Sequence, residues 1–175
     1  MAVIAVFIKI NSSGPIFFKQ LRVGKGNTDF LLFKFRTMHT FSETKGQLTV
    51  GMKDPRITNI GYFLRRYKLD EIPQLWNVLK GDMSFVGPRP EVRKYVNMYN
   101  EAQLTVLSVK PGITDYASII FIKENELLGN ASDPEKEYIE NIMPEKLRIN
   151  IKYINENNLF SDIGLIFRTV FSIIK

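Results

Sequence analysis

Residues 69–90 read LDEIPQLWNVLKGDMSFVGPRP: an acidic pair, Asp70 and Glu71, opens an apolar-periodic segment that closes on Gly81-Asp82 and a rigid Gly87-Pro88-Arg89-Pro90. Ile72, Leu75, Trp76 and Leu79 recur at i, i+3, i+4, i+7, which predicts one face of a short helix packed on a core. Pro73 is tolerated in a first helical turn and Gly81 suits a C-terminal stop, so Asp70 and Glu71 fall at the helix N-terminus. Acidic side chains are favoured there by the helix dipole and the free amides, and taken alone that preference accounts for the pair.

The surroundings add a second reading. Arg65, Arg66 and Lys68 lie just upstream, Lys34 and Arg36 further back, and Arg89 downstream between two prolines that restrict its backbone. If the fold gathers these cations around the acidic pair, the site suits a phosphorylated substrate, because guanidinium groups match phosphate oxygens in a bidentate way. An aspartate is ionised at neutral pH and can attack phosphorus or a sugar carbon without a base to activate it. A neighbouring glutamate can ligate magnesium, which neutralises phosphate charge. Arg66 and Lys68 read equally as a solvated helix face, Arg36 as the polar side of a strand, and Asp82 as a turn residue.

Composition narrows the chemistry. The 175 residues suit about one domain with a real core. Cysteine is absent and His39, read as a loop residue, is the only histidine, which excludes disulfides, thiol catalysis and histidine-rich or cysteine-zinc sites. Oxygen ligands remain. Residues 1–68 hold 12 Lys/Arg against 3 Asp/Glu, and residues 69–175 hold 12 against 15. The basic half is therefore expected to face something anionic: phosphorylated substrate, lipid headgroups or, ranked last for want of any recognised module, nucleic acid.

Along the chain, Met1 to Ile10 is an apolar opening too short to span a bilayer and unlike a signal peptide. Ile16–Val23 and Phe30–Met38 read as a hairpin around Gly24-Lys25-Gly26-Asn27, and Phe41–Asp54 as a polar loop that substrate can order. Thr58 or Asn59 caps a helix with Ile60, Phe63, Leu64 and Tyr67 on its apolar face. Further helices are expected over residues 91–108, from a capping box at Ser132-Asp133-Pro134-Glu135, and from Pro144, which divides it from the next, to about Asn157. The tail from Leu159 to Lys175 is apolar almost all round, which fits a core helix or a helix lying in a membrane interface. The expected class is α+β: a mostly helical single domain with a small N-terminal β-hairpin. No internal repeat interrupts it.

Gly14-Pro15-Ile16-Phe17-Phe18-Lys19-Gln20-Leu21-Arg22-Val23-Gly24, Lys34-Phe35-Arg36-Thr37-Met38, Leu69 to Pro90 and Lys110-Pro111-Gly112-Ile113-Thr114 occur in that order. In this the chain resembles the bacterial sugar transferases, monotopic polyprenyl-phosphate phosphoglycosyl transferases that initiate O-antigen, capsule, exopolysaccharide and glycoprotein glycan assembly. The resemblance implies a magnesium-dependent ping-pong enzyme. Asp70 is the implied nucleophile that takes the phosphosugar from a UDP-sugar with release of UMP, and polyprenyl (undecaprenyl) phosphate then attacks the covalent intermediate. Glu71 is the implied magnesium ligand, and Lys34, Arg36, Arg65 and Arg89 are the implied phosphate-binding cations. It further implies membrane-interface helices, a membrane-surface partner, and a place on the cytoplasmic face of the bacterial inner membrane.

Three departures from the family pattern stand out. The hydrophobic re-entrant helix expected before Gly14 is largely missing, residues 1–13 reading as a remnant of the anchor of a domain that covers residues 1–175. Asp115-Tyr116-Ala117-Ser118 stands where many relatives have Gly-Trp-Ala-Gln, and Asn150 where many have an aspartate; both positions bear on the sugar and nucleotide contacts. Two other functions are compatible with the residues: a catalytically silent scaffold of the assembly machinery, and a soluble magnesium-dependent nucleotide-sugar phosphohydrolase.

Overall fold

The computed structural model describes residues 1–42, 48–50 and 54–174. Most of the predicted loop, residues 43–47 and 51–53, lies outside them. The architecture is α+β and mostly helical, as expected.

Helix α1 (Ala2–Asn11) precedes an antiparallel hairpin of β1 (Phe17–Val23) and β2 (Asp29–Phe35), with Phe17 opposite Phe35 and Val23 opposite Asp29. A 3-10 turn over Lys25–Asn27 joins the strands. β2 stops three residues before the predicted Met38, because the chain changes partners: Met38 bridges to Ile57, and the Thr37 carbonyl accepts the Thr58 amide at 2.9 Å. Thr58 then caps α2 (Asn59–Arg66), accepting from the Gly61 amide at 3.0 Å. A Cβ on Gly61 would sit 2.0 Å from the Thr37 carbonyl oxygen, so glycine is what allows α2 to lie against that backbone. Ile60 and Leu64 face the core, whereas Phe63 and Tyr67 stay exposed and pack on each other with ring centroids 5.0 Å apart.

Asp70 and Glu71 sit in a 3-10 turn, Leu69–Glu71, just before α3 (Gln74–Lys80), which Gly81 ends with φ +85°. The predicted inward face of α3 is reversed. Leu75, Trp76 and Leu79 are 42%, 58% and 79% exposed, while Gln74 and Asn77 are buried. The cause lies in the sheet: β2 has a free edge whose backbone groups need partners, and the Asn77 amide supplies them. Its Oδ1 accepts from the Phe33 amide at 3.1 Å and its Nδ2 donates to the Leu31 carbonyl at 2.7 Å.

A second sheet escapes sequence reading, since three-residue strands carry no usable alternation. β3 (Ser84–Val86) and β4 (Gly112–Thr114) run parallel. A Cβ on Gly112 would lie 2.2 Å from the Gly87 nitrogen, so this pair of glycines lets the Gly87-Pro88-Arg89-Pro90 and Pro111-Gly112-Ile113-Thr114 segments touch backbone to backbone.

The predicted helix over residues 91–108 is broken into α4 (Arg93–Val96), α5 (Glu101–Leu104) and a 3-10 turn over Thr105–Ser108. Asn100 starts α5 with a capping box to Gln103, the competing local bond that interrupts the longer helix. Two short helices lie outside the sequence-based expectation, α6 (Tyr116–Ile120) and α7 (Glu124–Asn130). A helix starts at the predicted capping box, but its cap is Asp133 rather than Ser132: the Asp133 side chain accepts from the Glu135 and Lys136 amides at the head of α8 (Pro134–Glu137). Pro144 does not divide the next helix: a π-helical turn over Tyr138–Ile142 leads directly into α9 (Met143–Glu156), whose first turn accommodates the proline. α10 (Leu159–Ile174) follows.

Among the described residues, three apolar clusters hold these elements. Ile8, Phe35 and Leu64 meet Ile4, Ile16, Ile60, Leu69 and Ile72, so the residues on either side of the acidic pair are anchored in one cluster, together with part of α1. Val92, Tyr95, Val106, Leu128, Tyr138, Ile142, Met143 and Leu147 form the largest. Val86, Tyr153 and Leu165 form the third, with Leu165 the fully buried contact of α10.

Candidate active site

The acidic pair lies where the two sheets and α2 meet. Lys34 comes from β2, Arg65 from the last turn of α2, Arg89 from the segment after β3, and Asp70 and Glu71 from the turn between α2 and α3. Leu69 and Ile72 pin that turn to the core, so the two carboxylates are held at fixed positions even though both are buried.

The neighbours have different electrostatic states. Glu71 receives Lys34 Nζ on Oε1 at 3.1 Å, Arg89 Nη2 on the same oxygen, and Arg89 Nη1 on Oε2 at 3.3 Å. Burial alone raises the Glu71 value, but the Arg89, Lys34 and Lys68 charges outweigh it and hold the carboxyl well below its ordinary range. Asp70 has no such clasp. Its Oδ1 is buried without a hydrogen-bond partner among the described residues. Burial and the Glu71 charge raise its value above that of an ordinary aspartate, against the opposing Lys34, Lys68 and Arg65 charges.

The cations divide in the same way. Lys34 is pulled down to about 8 by burial, against Glu71, with Arg89 pushing in the same direction as burial. Glu71 holds Arg89 firmly protonated, with Asp115 adding to the effect. Arg65 donates from Nε to Thr37 Oγ1 at 2.9 Å and from Nη1 to Thr49 Oγ1 at 3.1 Å; its charge acts on Asp70 without a direct bond. Arg36 is not brought to the pair. Its guanidinium donates to the carbonyls of Pro15, Ser13 and Ser12 at 2.6, 2.6 and 2.9 Å, and so ties the segment between α1 and β1 to the end of β2. Arg66 and Lys68 are exposed, as the solvated-face reading expects, but Lys68 is placed so that its charge bears on both carboxylates. Asp82 pairs with Lys80 at 3.4 Å in the turn after α3.

Sequence reasoning marked Asp115 only as a departure from the family pattern and missed its bond to Arg89. Its carboxylate accepts from the Arg89 amide at 3.1 Å, from Asn150 Nδ2 at 3.0 Å and from the Ser118 amide at 2.6 Å. The two departures from the family pattern, Asp115 and Asn150, are thus bonded to each other. An aspartate one residue before a short helix shows only as a cap, and its reach to Arg89 depends on the parallel β3 and β4 pairing.

Among the described residues no three acidic or imidazole side chains converge as a metal cage. Magnesium held by one or two carboxylates and substrate phosphates needs none. The partnerless Asp70 oxygen beside Glu71 meets that smaller requirement. Chemically, the arrangement offers one carboxylate free to form a bond and, one residue away, another clasped by two cations.

The sequence has relatives among known proteins. The model of a family described as bacterial sugar transferase matches residues 1–175. The chain is 37% identical to a UDP-N-acetylgalactosamine-undecaprenyl-phosphate N-acetylgalactosaminephosphotransferase of Aeromonas hydrophila, over 99% of this chain and 39% of that protein. It is 37% identical to a UDP-glucose:undecaprenyl-phosphate glucose-1-phosphate transferase of Escherichia coli K12, over 96% of this chain and 34% of that protein. It is 38% identical to the galactosyl transferase CpsE of Streptococcus agalactiae, over 90% of this chain and 34% of that protein. The chain thus spans between a third and two-fifths of the length of these relatives.

Proposed function

The chain belongs to the bacterial sugar transferase family, and from that premise we propose that it transfers a phosphosugar from a UDP-sugar to undecaprenyl phosphate, with Asp70 as nucleophile. The observation that carries this reading is the division of labour within the acidic pair. Glu71 is held ionised by Lys34 and Arg89, whereas Asp70 keeps a buried oxygen that accepts nothing from the described residues. A poorly solvated carboxylate is a suitable nucleophile.

In the first step an Asp70 oxygen bonds to the phosphorus that bears the sugar, and the bond from that phosphorus to the bridging oxygen breaks. UMP leaves with the electron pair, giving an aspartyl-phosphosugar. In the second step a phosphate oxygen of the lipid attacks the same phosphorus and returns Asp70 as a carboxylate, leaving a polyprenyl-diphosphate sugar. Lys34 and Arg89 stand beside Glu71 where charge on the transferring phosphate needs neutralising. Arg65, fixed by Thr37 and Thr49, adds a third cation. Glu71, with the Asp70 oxygen next to it, would hold magnesium, whose chemistry here is neutralisation of phosphate charge.

The lipid acceptor places the reaction at a membrane surface, for which we propose the cytoplasmic face. No helix among the described residues is long and apolar enough to cross a membrane. The outward Leu75, Trp76 and Leu79 of α3 and Phe160, Phe167 and Phe171 of α10 offer apolar contact without a span. The relatives' names carry different sugars at similar identity, so the donor is proposed only as a UDP-sugar.

Mass spectrometry of protein mixed with a panel of UDP-sugars, without acceptor, is the direct test. The expected result is a single burst of UMP and a phosphosugar adduct on Asp70, both lost in Asp70→Asn. An adduct on another residue refutes the nucleophile, and continuous UMP release without acceptor favours hydrolysis.

A further inference from the structure

We propose that Asp115, supported by Asn150, is a positioning residue that fixes Arg89 over Glu71; the inference rests on the phosphoryl-transfer reading of that site. In Pro88-Arg89-Pro90 only Arg89 has a backbone N–H, and that single donor is taken by Asp115 Oδ2 at 3.1 Å. The flanking carbonyls are also held: Pro88 accepts from the Gly112 amide at 3.0 Å, and Pro90 from Arg22 Nη1 at 3.2 Å. Among the described residues, Asp115 is therefore the side chain that fixes the Arg89 backbone directly.

A helix cap alone does not explain this carboxylate. Capping α6 uses Oδ1, which accepts the Ser118 amide at 2.6 Å. The second oxygen serves Arg89 and Asn150. Asp115 is 1% exposed, so its charge is kept inside the protein by these three N–H donors rather than by water. Asn150 is tied to the same carboxylate from the other side: it is buried in α9, its Nδ2 donates to Asp115 Oδ2 at 3.0 Å, and its Oδ1 accepts no hydrogen bond from the described residues. The result is a continuous path from α9 through Asn150, Asp115 and Arg89 to Glu71, linking the largest helical layer to the acidic pair. A guanidinium displaced by about 1 Å from its productive position can cost on the order of 100-fold in rate. An Asp115→Ala side chain offers no acceptor to any of the three donors, and the hold on Arg89 is lost.

The test combines amide exchange with a double-mutant cycle. In Asp115→Ala the Arg89 amide should exchange about 5–10-fold faster than in the native chain, as expected for one lost hydrogen bond, while the Gly87 amide on the β3–β4 ladder is unchanged. UMP release should fall by about 10–100-fold. On an Arg89→Ala background the same substitution should change the residual rate by less than about twofold, because a residue acting only through Arg89 has nothing left to act on. Asn150→Ala, which leaves the cap intact, should reproduce both effects at smaller size and decides the matter if Asp115→Ala does not fold. An equal loss of rate with and without Arg89, or an Arg89 amide as protected as in the native chain, overturns the proposal. Exchange needs no turnover, so a protein that releases no UMP refutes the transferase reading while the Arg89 amide still decides this one.

Discussion

Asp70 and Glu71 share a turn and a burial environment, yet the protein stabilises the charge of one and destabilises that of the other. This makes the stability of variants informative. The folded Asp70 value is raised, so folding favours its protonated form between the ordinary value of 3.8 and the folded one, and above the folded value the full cost of the buried charge is present. Asp70→Asn removes that charge. It should abolish UMP release while leaving the melting temperature at pH 7 unchanged or higher, by about 2–4 °C per kcal/mol relieved; scanning calorimetry showing a clear drop would count against Asp70 as the strained member. Lys34 gives the pH dependence. Its value falls to about 8 from 10.5, so the cation facing Glu71 is lost as pH rises past about 8. The unfolded chain keeps that proton up to about 10.5, so the burial penalty of Lys34 fades across the same window. kcat/KM should decline above about pH 8, and Lys34→Arg should move that limb well upward; an unmoved limb would assign it to another group. At this scale the acidic pair, Lys34 and Arg89 were legible, because charge amid opposite charge shows in sequence. Arg36 misled, since nothing local says that its guanidinium turns to the carbonyls of residues 12–15.

α3 shows why a correct helix can be given the wrong face. Its periodicity places Leu75, Trp76 and Leu79 together, and they are together, but outward. Hydrophobic spacing identifies a stripe without saying which solvent the stripe meets. The deciding contact is the Asn77 side chain against the β2 edge, a bond across 44 positions to Phe33 and 46 to Leu31. Asn77→Leu should therefore destabilise the fold despite its greater hydrophobicity, because the Phe33 amide and the Leu31 carbonyl lose their partner, at about 0.5–1.5 kcal/mol each. Leu79→Ser, at a position 79% exposed, should change stability by less than about 0.5 kcal/mol. Chemical denaturation of the two variants checks the assignment: the reverse order of losses would mean that α3 packs by its apolar stripe. The hairpin, the Thr58 cap and the helix start near Pro134 were readable because their signals are local, although Asp133 rather than Ser132 takes that cap. The β3–β4 pair was not, because two three-residue strands about 28 positions apart are defined by the closeness of Gly87 and Gly112.

Across the whole molecule, the proposed membrane surface would account together for the basic N-terminal half and the outward apolar faces. Positive charge draws a protein to an anionic bilayer, and exposed leucine, phenylalanine and tryptophan hold it there. Among the described large apolar residues of α10 only Leu165 is fully buried, and Phe160, Phe167 and Phe171 face outward, a distribution that suits contact with a bilayer surface. Trp76 gives a direct readout, because it is the only tryptophan in the chain and is 58% exposed on α3. Vesicles of phosphatidylglycerol should shift its emission to the blue and co-sediment the protein, with both effects weakened by salt; phosphatidylcholine vesicles should do so less. Each exposed leucine that enters an apolar phase contributes on the order of 1.5–3 kcal/mol, so Leu75→Lys with Leu79→Lys should reduce partitioning by more than about tenfold with little loss of stability. Co-sedimentation with no change in Trp76 emission would transfer the contact from α3 to α1 or α10. Failure to bind either lipid would remove the membrane surface as a partner of the described residues, and with it the physical reason for leaving Leu75, Trp76 and Leu79 exposed beside the acidic pair.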